Sequence, residues 1–267
     1  MNNQKVELLS PAGNLEKLKI AIKYGADAVY AGVSHFSLRI RAGKEFTFET
    51  FKEGIDYAHA RGKKVYATIN GFPFNSQIEL LKKHIATMAA LKPDGFIVAA
   101  PGVVKLCREI APEIDIHLST QANVLNYLDA QVFWDLGVKR IVVAREISLK
   151  DVMEIKKHLP DMEIEIFVHG SMCFAYSGRC LVSAVQMGRV PNRGSCANDC
   201  RFQYTLYAAN EDHGTLFRLE EEPGIGTYIF NSKDMNLASH IKEILDSGAV
   251  DSLKIEGRTK SPYYAAV

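Results

Sequence analysis

Four of the chain's five cysteines, Cys173, Cys180, Cys196 and Cys200, fall in one stretch with the spacing C-x6-C-x15-C-x3-C. Thiolates gathered from such a loop can hold one iron–sulfur cluster or one zinc ion. Their flanks are Ser-Gly-Arg before Cys180, Arg-Gly-Ser before Cys196 and Ala-Asn-Asp between Cys196 and Cys200. Polar, glycine-rich flanks belong to a ligand loop and not to a core. A zinc ribbon would carry two C-x2-C knuckles, which this spacing lacks. An iron–sulfur cluster, [4Fe–4S] by preference, is therefore expected over zinc. Cys107, alone on a helix face, reads as a small buried hydrophobe.

The cysteines follow directly on the alternating strand Glu165–His169, which ends at Gly170 and sets Glu165, Phe167 and His169 on one face. A metal-bound water beside His169 and Glu165 would be hydrolytic chemistry. Four thiolates, however, would fill a tetrahedral metal and leave it no open position. No Ser-His-Asp signature, Walker loop or H-E-x-x-H helix occurs.

The elements that position this stretch repeat in pairs. Short apolar strands begin at Val6, Asp27, Lys64, Gly95, Asp115, Arg140, Glu163 and Ser252, and helical patterns separate them. Asn14 is placed to cap a helix over Leu15–Tyr24, and later helices are expected over 48–61, 77–91, 103–110, 124–136, 149–158 and 237–247. Eight strand–helix units with near-continuous apolar strands predict an α/β fold, a (β/α)8 TIM-type barrel; a doubly wound open sheet is second. Residues 171–235 are too long for an ordinary link and read as a cysteine-rich insertion at the C-terminal mouth after strand 7, with Glu220–Gly226 a solvated loop within it. The last helix opens near Pro262 and is cut short, so 1–267 is expected to be a single barrel domain with a C-terminal continuation.

In such barrels the reactive groups lie at the C-terminal ends of the strands. That rule marks Ser10, Asn70, Ser119 with Thr120 and Gln121, Arg145 with Glu146, His169, and Glu256 with Arg258. Glu256 joins His169 and Glu165 as a candidate catalytic group. Asn70, Gln121, Arg145, Arg179 and Arg258 are candidates for substrate binding. Plainer roles stand beside these: His169 as a core histidine, Glu256 and Arg258 pairing with each other, Gln121 and Asn123 capping the next helix. Tyr66 and His117, inside strands, read as barrel core.

Composition narrows little. Hydrophobic residues make up 47% and charged residues 24% of 267, with a formal charge of +1, which neither favours nor excludes any partner. No run of about eighteen apolar residues is present to span a membrane, and the first residues lack an apolar signal segment. A cytoplasmic protein is expected, where clustered thiols are ligands and not disulfides.

The run Glu165-x-Phe167-x-x-Gly170-Ser-Met-Cys173-x4-Gly178-x-Cys180-x-Val182-Ser183 resembles the signature of the U32 family of collagenase-like peptidases. Leu8–Gly13, Ala67–Asn70, Ser119–Asn123, Asn231–Asp234 and Lys254–Arg258 are similar to further motifs of that family. The resemblance implies protease activity, as reported for some members, or hydroxylation of a tRNA wobble uridine, a ribosomal RNA cytidine or the ubiquinone ring, as in others. It implies that Cys173 and Cys180 are cluster ligands, with prephenate as a hydroxyl donor in the RNA-modifying branch. Some relatives use a cysteine where this chain has Asn236, and Cys196 and Cys200 complete the set here. Arg145, Arg179, Arg189, Arg193, Arg201 and Arg258 could meet phosphates or a dicarboxylate. Phe174, Tyr176, Phe202 and Tyr204, interleaved with arginines, could stack on bases. The expected function is cluster-dependent tRNA hydroxylation. A peptidase acting on peptide substrates comes second and a non-catalytic scaffold third.

Overall fold

The computed structural model describes residues 5–33, 36–37, 46–176, 179–191, 196–209, 212–219, 230 and 233–266. Eleven strands are present among them: β1 (Glu7–Pro11), β2 (Ala28–Ala31), β3 (Lys64–Ile69), β4 (Gly95–Val98), β5 (Asp115–Leu118), β6 (Arg140–Val142), β7 (Glu163–Gly170), β8 (Tyr207–Ala209), β9 (Leu216–Arg218), β10 (Met235–Asn236) and β11 (Ser252–Ile255). The helices are α1 (Leu15–Lys23), α2 (Phe48–His59), α3 (Ile78–Ala90), α4 (Pro101–Ile110), α5 (Tyr127–Asp135), α6 (Leu149–His158), α7 (Val182–Met187), α8 (Ile241–Asp246) and α9 (Pro262–Ala266).

Strands β1 to β7 run in sequence order around a ring, and β11 closes it by pairing in parallel with both β7 and β1. The β6–β7 pairing completes the circle, so the sheet is a closed eight-stranded parallel barrel and not an open one. Closure gives each of the eight barrel strands a neighbour on both sides. Helix starts are fixed by side chains: Asn14, Thr47, Asn126 and Ser148 each accept a hydrogen bond from the backbone N–H three residues on. Apolar faces of the helices cover the outside of the barrel, burying Leu18, Phe51, Leu81, Met88, Val104 and Ile155 against outward-facing strand residues. Cys107 belongs to this shell and is fully buried, as expected. Helix α9 lies against α1.

Two helices differ from expectation. The left-handed Asn123 (φ 56°) interrupts the chain, so α5 starts only at Tyr127 behind its Asn126 cap. Helix α8 starts at Ile241, after a 3-10 turn over Ala238–His240. Between β7 and β11 the described residues form α7, the antiparallel hairpin β8–β9, and β10, which pairs antiparallel with the last two residues of β7. The expected solvated loop, the Arg193 position and parts of the Gly178 and Asn231 motifs lie outside the described residues.

Charge fills much of the barrel interior. Arg140 on β6 reaches Glu7 at 2.5 Å, Glu163 at 2.6 Å and Glu165 at 3.2 Å. Lys254 on β11 holds the other Glu165 oxygen at 2.6 Å, and Tyr66 donates to Glu7 at 2.6 Å. His117 packs edge-on against Tyr66 at 4.4 Å, as its place inside a strand suggested. Burial, with Arg140 and Lys254 nearby, holds the His117 pKa well below the ordinary histidine range, so this ring is neutral. Burial alone would raise the Glu7 pKa, but the Arg140 charge and the hydrogen bonds from Arg140, Tyr66 and Ser252 outweigh it and leave the carboxyl lowered.

A depressed folded-state pKa means stability present above the unfolded value and lost as pH falls through the folded one. Stability in urea is therefore expected to decline on acidification below about pH 4 as Glu7 is protonated. Arg140→Leu, which takes from Glu7 its cation and from Glu163 and Glu165 one of theirs, is expected to cost about 3–5 kcal/mol at neutral pH. A loss below about 1 kcal/mol in urea melts would contradict the pairing, being the size of a surface ion pair.

Candidate active site at the barrel mouth

A cavity of about 510 Å³ opens at the C-terminal ends of the strands. Seven of the residues marked by position alone, Asn70, Ser119, Thr120, Gln121, Arg145, Glu256 and Arg258, line it. Three of the four clustered cysteines, Cys173, Cys196 and Cys200, line it as well.

The walls are built by local bonding. Tyr30 on β2 donates to the Ile255 carbonyl at 2.9 Å and to Glu256 Oε2 at 3.4 Å. The Arg145 guanidinium lies 3.9 Å above the Phe167 ring and 4.0 Å from Glu256 Oε2. Arg258 donates to Ser37 at 2.8 Å and to Thr68 at 3.2 Å. Glu256 and Arg258 thus each have partners on other strands. Gly170 turns with φ 118°, and a Cβ there would sit 2.5 Å from the Glu256 carbonyl oxygen. Only glycine lets β7 pass so close to β11 before the chain enters the cysteine stretch.

That stretch is tied down from several sides. Arg201 donates to the Met172 carbonyl at 2.7 Å and pairs with Asp234 at 3.1 Å, joining its beginning to its end. Arg189 holds the Cys196 carbonyl at 3.2 Å, and Ser183 on α7 accepts from the Ala197 N–H at 3.1 Å. Tyr204 donates to the Asp199 carbonyl at 2.9 Å. The Cys200 thiol pKa is raised, first by burial, then by Cys196, Cys173 and Cys180, against the lowering effect of Arg201. Cys180 does not line the cavity; its sulfur accepts from the Val182 N–H at 3.4 Å. Among the described residues, no three His, Cys, Asp or Glu side chains close on a single-ion site.

The expected pairing of His169 with Glu165 is corrected. Glu165 is fully buried, and its two oxygens are taken by Arg140 and Lys254. His169 is exposed, its ring 5.9 Å from that of Tyr264, and it does not line the cavity. The cause is that β7 outruns β6, whose last partner on it is Glu165, and β11 shifts register between Lys254 and Ile255. His169 consequently lies above the closed layer that holds Glu165. Arg179 is also exposed and away from the cavity lining. Gln121 does not cap α5, since Asn126 does.

Position at strand ends missed Lys254, which lines the cavity although only 4% of its surface is exposed. Its signal was the two-residue period of β11, which puts Ser252, Lys254 and Glu256 on one face. Arg201, singled out among the arginines of the cysteine stretch, and Asp234, the end of the Asn231–Asp234 motif, also line the cavity, although no strand end exists there to mark them.

A closed parallel barrel with a polar mouth and thiols at its rim is the frame of an α/β-barrel protein with its site on the C-terminal face. The chain belongs to peptidase family U32, which matches over residues 13–267. It is 76% identical over 262 residues to tRNA hydroxylation protein P of Helicobacter pylori, covering 98% of this chain and 62% of that protein. With tRNA hydroxylation protein P of Escherichia coli it shares 42% identity over 299 residues, covering 98% and 66%. The solved structure of the U32 peptidase Mk0906 shares the fold, with TM-score 0.62 at 15% identity over 96% of this chain and 95% of that one. The chain thus spans about three-fifths of the Helicobacter protein it matches.

Thiol chemistry separates the two cysteine environments. Burial pushes the Cys107 thiol pKa up to about 12, whereas Cys173 is exposed. In metal-free folded protein, iodoacetamide is expected to label Cys173 first and to reach Cys107 only after unfolding, as read by peptide mass spectrometry. Prompt labelling of Cys107 in the folded state would contradict the packing of α4.

Proposed function

We propose that this chain is the barrel of an enzyme that hydroxylates a tRNA nucleoside, the wobble uridine, with an iron–sulfur cluster held by Cys173, Cys180, Cys196 and Cys200. The observation that carries the reading is the joining, in one cavity, of a cation-rich wall with three of the four clustered thiols. The names of relatives at 76% and 42% identity agree with it.

The donor set suits the group. Thiolates are the usual ligands of iron–sulfur clusters. When bound, such a cluster supplies electron transfer or a Lewis-acidic iron. Arg201, Arg258 and Lys260 are suited to RNA phosphates. Phe174, Tyr176 and Phe202, each about half exposed, offer faces on which loop bases can stack. The guanidinium groups of Arg145 and Arg258 are suited to a small dicarboxylate such as prephenate as hydroxyl donor. No helix among the described residues is long and apolar enough to cross a membrane, and a tRNA substrate puts the enzyme in the cytoplasm. The proteolytic reading has less support, because Glu165 and His169 do not come together.

Nucleoside mass spectrometry of tRNA from a deletion strain is expected to show loss of the hydroxylated wobble uridine; unchanged tRNA would end the proposal. Anaerobically reconstituted protein is expected to be brown with labile sulfide, and Cys173→Ser to lose most of that visible absorbance. Colourless wild-type protein holding one zinc would refute the cluster.

A further inference from the structure

We infer that Gln121 reads the edge of a single unstacked nucleobase at the floor of the cavity and selects uracil over cytosine. The inference rests on the tRNA reading above and assigns the residue that sets base specificity.

Gln121 lies in the 3-10 turn Thr120–Ala122 just after β5, and only 2% of its surface is exposed. Ser119 Oγ donates to its Oε1 at 3.0 Å. Its Nε2 has no hydrogen-bond partner. A buried donor left unpaired costs stability and returns nothing within the free protein. At the wall of a cavity, such a group is explained by a ligand that supplies the acceptor.

Charge is distributed so that the ligand has one orientation. Beneath the floor, Lys254 is neutralised by Glu165, and Arg140 lies among Glu7, Glu163 and Glu165. Three carboxylates against two cations give an anion no gain there. Toward the mouth, Arg201, Arg258 and Lys260 line the same cavity with Asp234. A nucleotide therefore enters base first and leaves its phosphates among the mouth cations, as enzymes acting on unstacked bases require. The floor offers an unpaired donor, the Gln121 amide nitrogen. Uracil presents a carbonyl oxygen at ring position 4, whereas cytosine presents an amino group there, which sets donor against donor.

The test uses the full chain and a fluorescent RNA stem-loop with one loop uridine, compared with the same RNA carrying cytidine there. Wild-type protein is expected to prefer uridine by roughly tenfold in Kd. Gln121→Leu is expected to abolish the preference with at most a small change in Tm, because the lost hydrogen bond from Ser119 is offset by removal of a donor that had no partner. Gln121→Glu, which replaces the donor with an acceptor, is expected to shift preference toward cytidine. An unchanged preference in Gln121→Leu would overturn the inference and leave the tRNA reading standing. A marked fall in its Tm would make Gln121 a structural residue and also overturn it. Failure of wild-type protein to bind either RNA would remove the tRNA reading itself, and this inference with it.

Discussion

The barrel is held around one buried carboxylate. Glu165 on β7 is fully enclosed, and its two oxygens meet Arg140 from β6 and Lys254 from β11. Arg140 carries the contact on to Glu7 of β1, so four strands distant in sequence share one electrostatic unit. A charge so deep is tolerated only when its partners are in place. The network therefore specifies one arrangement of the strands more sharply than aliphatic packing would, because any slip by one residue would turn a charge into the apolar shell. Its upper member, Lys254, also lines the cavity. Fold specificity and the electrostatic character of the site thus rest on the same ion pair.

Above this layer the site is assembled from two kinds of structure. The barrel contributes Asn70 after β3, Gln121 after β5, Arg145 after β6, and Glu256 with Arg258 after β11. The cysteine stretch contributes sulfurs and Arg201, and hydrogen bonds to α7 and to its own backbone hold it in place. Rigid strand ends suit recognition, which needs fixed donors. A loop suits thiol ligands, which must converge from several directions on one centre. The division of labour follows from what each kind of backbone can do.

Much of this was legible from the residues in order. Repeating strand and helix patterns with a cap at Asn14 gave eight units, and parallel strands buried on both faces closed into a ring. The strand-end rule found seven cavity residues, since it depends only on where each strand stops. It failed for His169 because β7 extends past its neighbour and β11 carries a register shift, neither of which leaves a local mark in the sequence. The charged interior was hidden for a related reason. Glu7 and Arg140 are 133 residues apart, and nothing near either one announces the other. Gln121 was found by position, but its unpaired amide nitrogen needed coordinates to be seen.

Strand β10 pairs Met235 with Gly170 and Asn236 with His169, so the excursion from Ser171 to Asp234 leaves and rejoins the fold at one two-residue bridge. An excursion pinned at its root can gain or lose residues with little effect on the body beneath, because the entropy of closing a loop grows only slowly with its length. Evolution is then free to vary the reach of this arm over the mouth, and so the size and shape of what it admits, while the eight strands keep their register.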